Sequence, residues 1–229
     1  MPSILITGAN RGLGLEFTRQ YLKDGWDVIA TCRNPGTATA LNELGALGGT
    51  LSVHEMAVDD DASVAALSAS LSDQAIDVLL NNAGVMGPRL KFGELDSQEW
   101  MDVLRTNIVA PLKVAESFVG NVARGDQKKI ATVSSKMGSM TDNTSGGSYI
   151  YRSSKAGVNA AMRSLAIELE PQGIAAVILH PGWVRTDMGG PNGLIDAPES
   201  VSGMRAVIDS LDTGMSGRFW NYDGTEIPW

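Results

Sequence analysis

The chain has 229 residues, the length of one sizeable domain with a single core. Hydrophobic residues make up 43% and charged residues 19%, which excludes a disordered chain. The net charge of −8 argues against nucleic acid and anionic lipid as partners. The one cysteine, Cys32, excludes a disulfide framework and a multi-cysteine metal centre. The opening MPSILITGAN lacks the basic segment and long apolar run of a secretory signal. No run approaches the roughly 18 apolar residues of a membrane span. A cytoplasmic protein with no membrane span is expected.

Short apolar runs rich in β-branched residues occur at residues 3–7, 27–31, 50–56, 76–80, 129–134 and 174–179, with a last run near 218–222. They are continuous and bounded by Gly, Asp or Asn, as strands buried on both faces are. Helical patterns lie between them. Residues 12–24 place Leu13, Phe17, Tyr21 and Leu22 on one face, and 62–71 and 198–211 are shorter examples. The longest candidate runs over 97–123. Asp96 and Glu99 suit a capping-box variant at its start. Pro111 inside it predicts a kink that frees the Asn107 carbonyl. The segment 148–170 reads as helix, stopped by Pro171. Residues 84–95, 137–148 and 189–197 read as loops, the last short, Gly/Pro-rich and therefore mobile over an open site. Strand and helix alternating throughout predict a parallel sheet with right-handed crossovers. No linker or repeat divides the chain, so residues 1–229 are expected to form a single domain.

After the first run comes Thr7-Gly8-Ala9-Asn10-Arg11-Gly12-Leu13-Gly14. Gly8 permits the sharp turn, Gly12 lets backbone approach a pyrophosphate, and Gly14 lets the helix pack on the strand. The unpaired N–H groups of that helix then face an anion.

This spacing resembles the short-chain dehydrogenase/reductase family. The later motifs agree in order: Asn81-Asn82-Ala83-Gly84, Asn107, Tyr151-x-x-x-Lys155, and Pro181-Gly182 followed by Val184 and Thr186. The stretches TGANRGLG, ATCRNP, YRSSK and HPGWVRTDMGG are similar to the C-factor and Sniffer-like carbonyl reductase branch of that family. The resemblance implies a Rossmann-like doubly wound α/β fold of about seven parallel strands in order 3-2-1-4-5-6-7. It implies a reversible hydride transfer between a nicotinamide cofactor and a carbonyl or alcohol substrate. Gly8, Asn10, Arg11, Gly12, Leu13, Gly14, Val58, Asn82, Ala83, Gly84, Tyr151, Lys155, Pro181, Gly182, Val184 and Thr186 would then line the cofactor.

The residue after the second strand selects the cofactor. Cys32 holds the position of the usual acidic residue, and Arg33 follows it. Without a carboxylate, Arg33 and Arg11 are able to clamp a 2′-phosphate, which favours NADP (NADPH), with NAD as second choice. Ala57 stands where the family often has Asp, while Val58 is placed to pack on the adenine. Asp59 to Asp61 read as a solvated helix start.

Tyr151 and Lys155 share a helix face at i, i+4. A free tyrosine titrates near 10, and a neighbouring cation lowers that value. The resemblance implies Tyr151 as the proton donor in reduction and Lys155 as its tuner and a ribose ligand. A donor to the substrate oxygen is also needed. Ser135 is the choice at the end of the fifth strand, with Ser134 the runner-up. The span from Ser135 to Tyr151 is longer than is common in the family, which points to extra loop residues within 137–148. Tyr149 lies too far from Lys155. Asn107 would support a proton relay through its carbonyl and a water. His54, His180 and Cys32 read as structural, and no metal site is expected. Met137, Met140, Met188 and Trp183 either line an apolar substrate pocket or pack within their loops. The rival function is a dinucleotide-binding signalling or regulatory protein with little turnover. The family resemblance also implies a homodimer or homotetramer.

Overall fold

The computed structural model describes every residue, Met1–Trp229. Its strands are β1 (Ser3–Thr7), β2 (Asp27–Cys32), β3 (Thr50–Glu55), β4 (Val78–Asn81), β5 (Lys129–Val133), β6 (Ala175–His180) and β7 (Phe219–Asn221). They form one sheet in the order β3-β2-β1-β4-β5-β6-β7, each neighbouring pair parallel. The doubly wound architecture and strand order read from the sequence are therefore present.

The helices are α1 (Gly12–Lys23), α2 (Thr39–Asn42), α3 (Asp61–Ser70), α4 (Ser97–Leu104), α5 (Ala110–Arg124), α6 (Tyr149–Leu169) and α7 (Ala197–Ser210). They divide the apolar residues between two faces. Ile4, Ile6, Val28, Leu80, Val177 and Leu179 pack with Phe17 and Tyr21 of α1 and Met204 and Ile208 of α7. Leu5, Ile29, Leu79 and Ile130 point the other way, onto Val64 of α3, Phe118 and Val122 of α5 and Leu169 of α6. Successive strand residues alternate faces. Because both faces are covered, each strand is apolar throughout and not every second residue.

Two local elements were not read from the sequence, and one loop expectation is corrected. The connection from β2 to β3 had no predicted element. It contains α2 between two 3₁₀ turns, Pro35–Thr37 and Glu43–Ala46. Leu41 and Leu44 anchor it in the core, and Pro35 with Gly36 and Gly45 keep it from lengthening. Ahead of Pro111 the regular α-helix is interrupted. The helix widens into a π-helical turn over Arg105–Val109, where the Ala110 N–H donates to the Arg105 carbonyl. Pro111 then falls in the first turn of α5, where its missing N–H removes no interior bond. Finally, the loop after β6 is stitched and not loose. Val184 bridges Ile195, and the Arg185 side chain holds Asp196 at 2.6 Å and the Gly193 carbonyl at 2.7 Å.

Candidate active site

The glycine turn, the Asn-Asn-Ala-Gly segment, Ser135 and Pro181-Gly182 follow the carboxyl ends of β1, β4, β5 and β6, while Asn107, Tyr151 and Lys155 sit on helical segments. Asn82 to Gly84 follow β4, which neighbours β1 at the point where the strand order reverses. Open α/β sheets form their ligand crevice at such a switch point.

The glycine turn and the Asn-Asn-Ala-Gly segment interlock here. Gly8 adopts φ +65°, a region that favours glycine. A Cβ on Gly14 would collide with the Gly8 carbonyl oxygen and lie 2.6 Å from Asn82 Nδ2. The Asn82 side chain donates to the carbonyls of Thr7 (2.8 Å) and Gly8 (3.2 Å). In return the Thr7 hydroxyl accepts the backbone N–H groups of Asn82 and Ala83, each at 3.0 Å. Asn82 thus shapes the turn from behind. Arg11 caps α1 without a side-chain hydrogen bond, and the first turn carries no acidic residue. The N–H groups of Gly12, Leu13 and Gly14 stay open to an anion, so the donor set fits a pyrophosphate.

The remaining cofactor candidates surround this turn. Thr186 Cγ2 lies 3.9 Å from where a Gly12 Cβ would be, so the segment after Pro181-Gly182 closes over the phosphate loop. Val184 is buried. Asn10, Arg11 and Arg33 are exposed. Arg11 pairs with Asp187 at 3.3 Å. Val58 is half-buried beside the second core face. Cys32 is buried, and burial pushes its thiol up, which suits an inert packed side chain.

Helix α6 brings Tyr151 and Lys155 under the end of β5. The neighbouring Ser135 hydroxyl favours the ionised form of Tyr151, yet burial outweighs this and raises its pKa. Lys155 Nζ lies 5.8 Å from the Tyr151 ring centroid and donates to the Val133 carbonyl at 3.1 Å. Burial lowers Lys155 to about 8, with no carboxylate opposing the shift. The expected lowering of Tyr151 by Lys155 is therefore not seen in the protein alone. Desolvation acts on both groups and disfavours both charges.

The two serines at the end of β5 separate cleanly. Ser134 turns inward and donates to Asn159 Oδ1 at 2.6 Å. Ser135 faces Tyr151 and also accepts the Met137 N–H at 3.2 Å.

Asn107 is a bracket. Its Oδ1 accepts the Val85 N–H at 2.9 Å, and its Nδ2 donates to the Val85 carbonyl at 2.7 Å and Ser154 Oγ at 2.9 Å. It joins the strand-end loop to α6 with its side chain, a part the carbonyl-and-water expectation did not include. Gly84 leaves the room this needs, because a Cβ there would lie 3.2 Å from Asn107 Oδ1 and 3.6 Å from Lys155 Nζ. Ser154 and Asn159 were not singled out from sequence. Their signal was available, since they follow Tyr151 and Lys155 at i+3 and i+4 on one helical face.

His54 lies on β3, paired with Thr31, away from this centre. No cluster of His, Cys, Asp and Glu suits a metal ion, and no helix is long and apolar enough to cross a membrane.

Residues 2–193 match the model of the short chain dehydrogenase family. C-signal of Myxococcus xanthus is 47% identical over 154 residues, which cover 67% of this chain and 93% of that protein. The solved carbonyl reductase Sniffer of D. melanogaster is 36% identical, covers all of both chains and superposes with a TM-score of 0.91. An NADPH-bound carbonyl reductase from chicken fatty liver is 33% identical, with a TM-score of 0.91 over 100% of this chain and 99% of that one.

Proposed function

Since the chain belongs to the short-chain dehydrogenase family, and is an NAD(P)-dependent oxidoreductase of CH–OH and C=O groups, we propose that it is an NADP(H)-dependent carbonyl reductase with Tyr151 as its acid/base. The observation that carries this is the convergence of Tyr151, Ser135 and Lys155, with no acidic partner for the lysine. A buried cation without a carboxylate is costly. A neighbouring phenolate and ribose hydroxyls supply the acceptors it lacks.

The nicotinamide supplies the hydride chemistry when bound. The chain supplies the rest. Ser135 Oγ donates a hydrogen bond to the substrate oxygen, where negative charge grows during reduction. Tyr151 Oη gives that oxygen its proton and takes it back in oxidation. Lys155 Nζ holds the ribose and favours the phenolate. Asn107 positions the helix that carries both groups. Gly8, Asn10, Gly12, Leu13, Gly14, Asn82, Ala83 and Gly84 hold the pyrophosphate and ribose side, and Pro181, Gly182, Val184 and Thr186 hold the nicotinamide side. Val58 packs on the adenine.

Two features support NADP(H) over NAD(H). No carboxylate follows β2, and Arg33 stands free at that strand end. A solved relative also holds NADPH. The signalling alternative has less support, since the complete Ser135, Tyr151 and Lys155 set is present. The test is a panel of carbonyl compounds with NADPH and NADH, run beside Tyr151→Phe. Reduction with NADPH that is lost in the variant is expected. Activity surviving Tyr151→Phe overturns the mechanism.

A further inference from the structure

The turn that follows Ser135 is short and has little to hold it by itself. Ser135 caps a single 3₁₀ turn, Lys136–Gly138. The Ser135 carbonyl accepts the Gly138 N–H at 2.8 Å, and the Lys136 carbonyl accepts the Ser139 N–H at 3.0 Å. A lone 3₁₀ turn fixes several dihedral angles for few and poorly aligned hydrogen bonds. The place of the Ser135 hydroxyl beside Tyr151 therefore depends on what grips this turn.

One grip is α6. A Cβ on Gly138 would lie 2.7 Å from the Lys155 carbonyl carbon and 2.8 Å from its oxygen. Glycine thus lets the turn lie directly on the helix backbone at Lys155. The other grip is Ser139, which is buried. Its Oγ donates to the Pro228 carbonyl at 2.6 Å and accepts the Asp142 N–H at 3.1 Å. A second rung runs from the Thr141 N–H to the Trp229 main-chain oxygen at 3.0 Å.

Residues 227–229 are anchored in turn. The Ile227 N–H donates to the Phe219 carbonyl of β7 at 2.7 Å. Its side chain packs in a core cluster with Val158 and Met162 of α6, Ile178 of β6 and Phe219. The Trp229 ring stacks on Phe219, with centroids 5.8 Å apart and an interplanar angle of 18°. One short segment therefore holds both the helix that carries Tyr151 and Lys155 and the turn that carries Ser135.

We infer that residues 227–229 form a clasp, and that Ser139 is a positioning residue which sets Ser135 against Tyr151 through its hydrogen bond to Pro228. The effect on rate rests on the carbonyl-reductase reading, while the effect on geometry does not. Without the Ser139 hydroxyl, the Pro228 carbonyl and the Asp142 N–H lose their partner, and the turn under Ser135 is held from one side only.

Two variants of the whole chain test this. Ser139→Ala removes the hydroxyl. Trp229→Ala removes a ring that is 40% exposed, leaves Ser139 in place, and serves where Ser139→Ala does not fold. Isotope labelling at tyrosine Cζ gives few NMR signals, since the chain has 4 tyrosines, and the Tyr151 signal is the one missing in Tyr151→Phe. Without turnover, that signal is expected to shift in Ser135→Ala and in both clasp variants, while the Tyr21 signal stays. An unmoved Tyr151 signal in the clasp variants overturns the inference, whether or not the protein reduces a carbonyl.

Reduction of para-nitrobenzaldehyde by NADPH supplies the kinetic arm. Ser139→Ala is expected to lower kcat about tenfold to a hundredfold, the effect of a small misplacement, with KM for NADPH unchanged. In a Ser135→Ala background the same change is expected to cost nothing more, because the group it positions is gone. An equal loss in both backgrounds overturns the inference and leaves Ser139 a structural residue. No reduction by the parent chain, with the Tyr151 signal still shifted in the clasp variants, tells against the carbonyl-reductase reading alone and leaves the clasp standing.

Discussion

Lys155 Nζ lies 5.8 Å from the centre of the Tyr151 ring and donates its one protein hydrogen bond in this environment to the Val133 carbonyl. Both groups are buried, and burial disfavours the charged form of each. The pair is thus arranged for a partner that adds acceptors and charge. Tyr151→Phe keeps the shape and removes the transferable proton. A fall in kcat of about 10²- to 10⁴-fold is expected, with NADPH affinity retained in a fluorescence titration.

The same pair sets a stability profile in the cofactor-free protein. Lys155 falls from 10.5 to about 8. Below pH 8 it is charged in both folded and unfolded states, and the folded state bears the cost of burial. Between 8 and 10.5 the unfolded chain holds more protons, so this term raises stability as pH rises. Tyr151 is raised above 10 and acts oppositely beyond that pH, because the unfolded chain then loses its proton first. Lys155→Met is expected to melt higher than the parent at pH 7, with the gap shrinking from pH 8 to 10. A gap independent of pH contradicts this.

Asn107 makes three hydrogen bonds that tie Val85 to Ser154. Asn107→Ala leaves buried groups unpaired, at a cost of about 2–4 kcal/mol. Urea denaturation should register that loss, and kcat should fall with it if Tyr151 and Lys155 of α6 act as proposed. Full stability in the variant would refute the bracket.

Two glycines of the phosphate turn should respond differently. Gly14→Ala drives a methyl against the Gly8 carbonyl and Asn82, and both destabilisation and lost cofactor binding are expected. Gly12 has φ +56°, with Thr186 Cγ2 at 3.9 Å from an added Cβ. Gly12→Ala should cost only the left-handed conformation, about 1–2 kcal/mol. Thermal melts of the two variants, with and without NADPH, decide the order.

Arg11 is held by Asp187 in an exposed ion pair, so a cofactor phosphate bound as proposed would compete with that carboxylate. Asp187→Asn is expected to tighten NADPH binding about twofold to fivefold, as suits a surface pair. Arg33→Ala is expected to weaken NADPH about tenfold and leave NADH nearly unchanged. Equal loss for both cofactors would place Arg33 away from the 2′-phosphate.

Much of this was legible along the chain because parallel strands covered on both faces announce themselves as short apolar runs. The first run, residues 3–7, coincides with β1, and the other strand boundaries shift by a residue or two. The π-helical turn before Pro111 was not legible. A proline announces a missing N–H, but which turn absorbs it depends on what the flanking helices pack against. Likewise only the family pattern ranked Ser135 above Ser134 in the sequence. Only the inward hydrogen bond to Asn159 leaves Ser135 for Tyr151.

The sequence by itself determined the fold class and the family, because these follow from local periodicity and from motifs a few residues long, and the family resemblance then implied the strand order. The tertiary structure alone decided how charge and hydrogen bonds settle. It turned Asn107 into a side-chain bracket, set burial above the influence of Ser135 at Tyr151, and stitched a Gly/Pro-rich loop through Arg185. It also tied Ser139 to Pro228. Those outcomes depend on desolvation and on contacts between residues far apart in the chain, and neither is written in any local stretch of it.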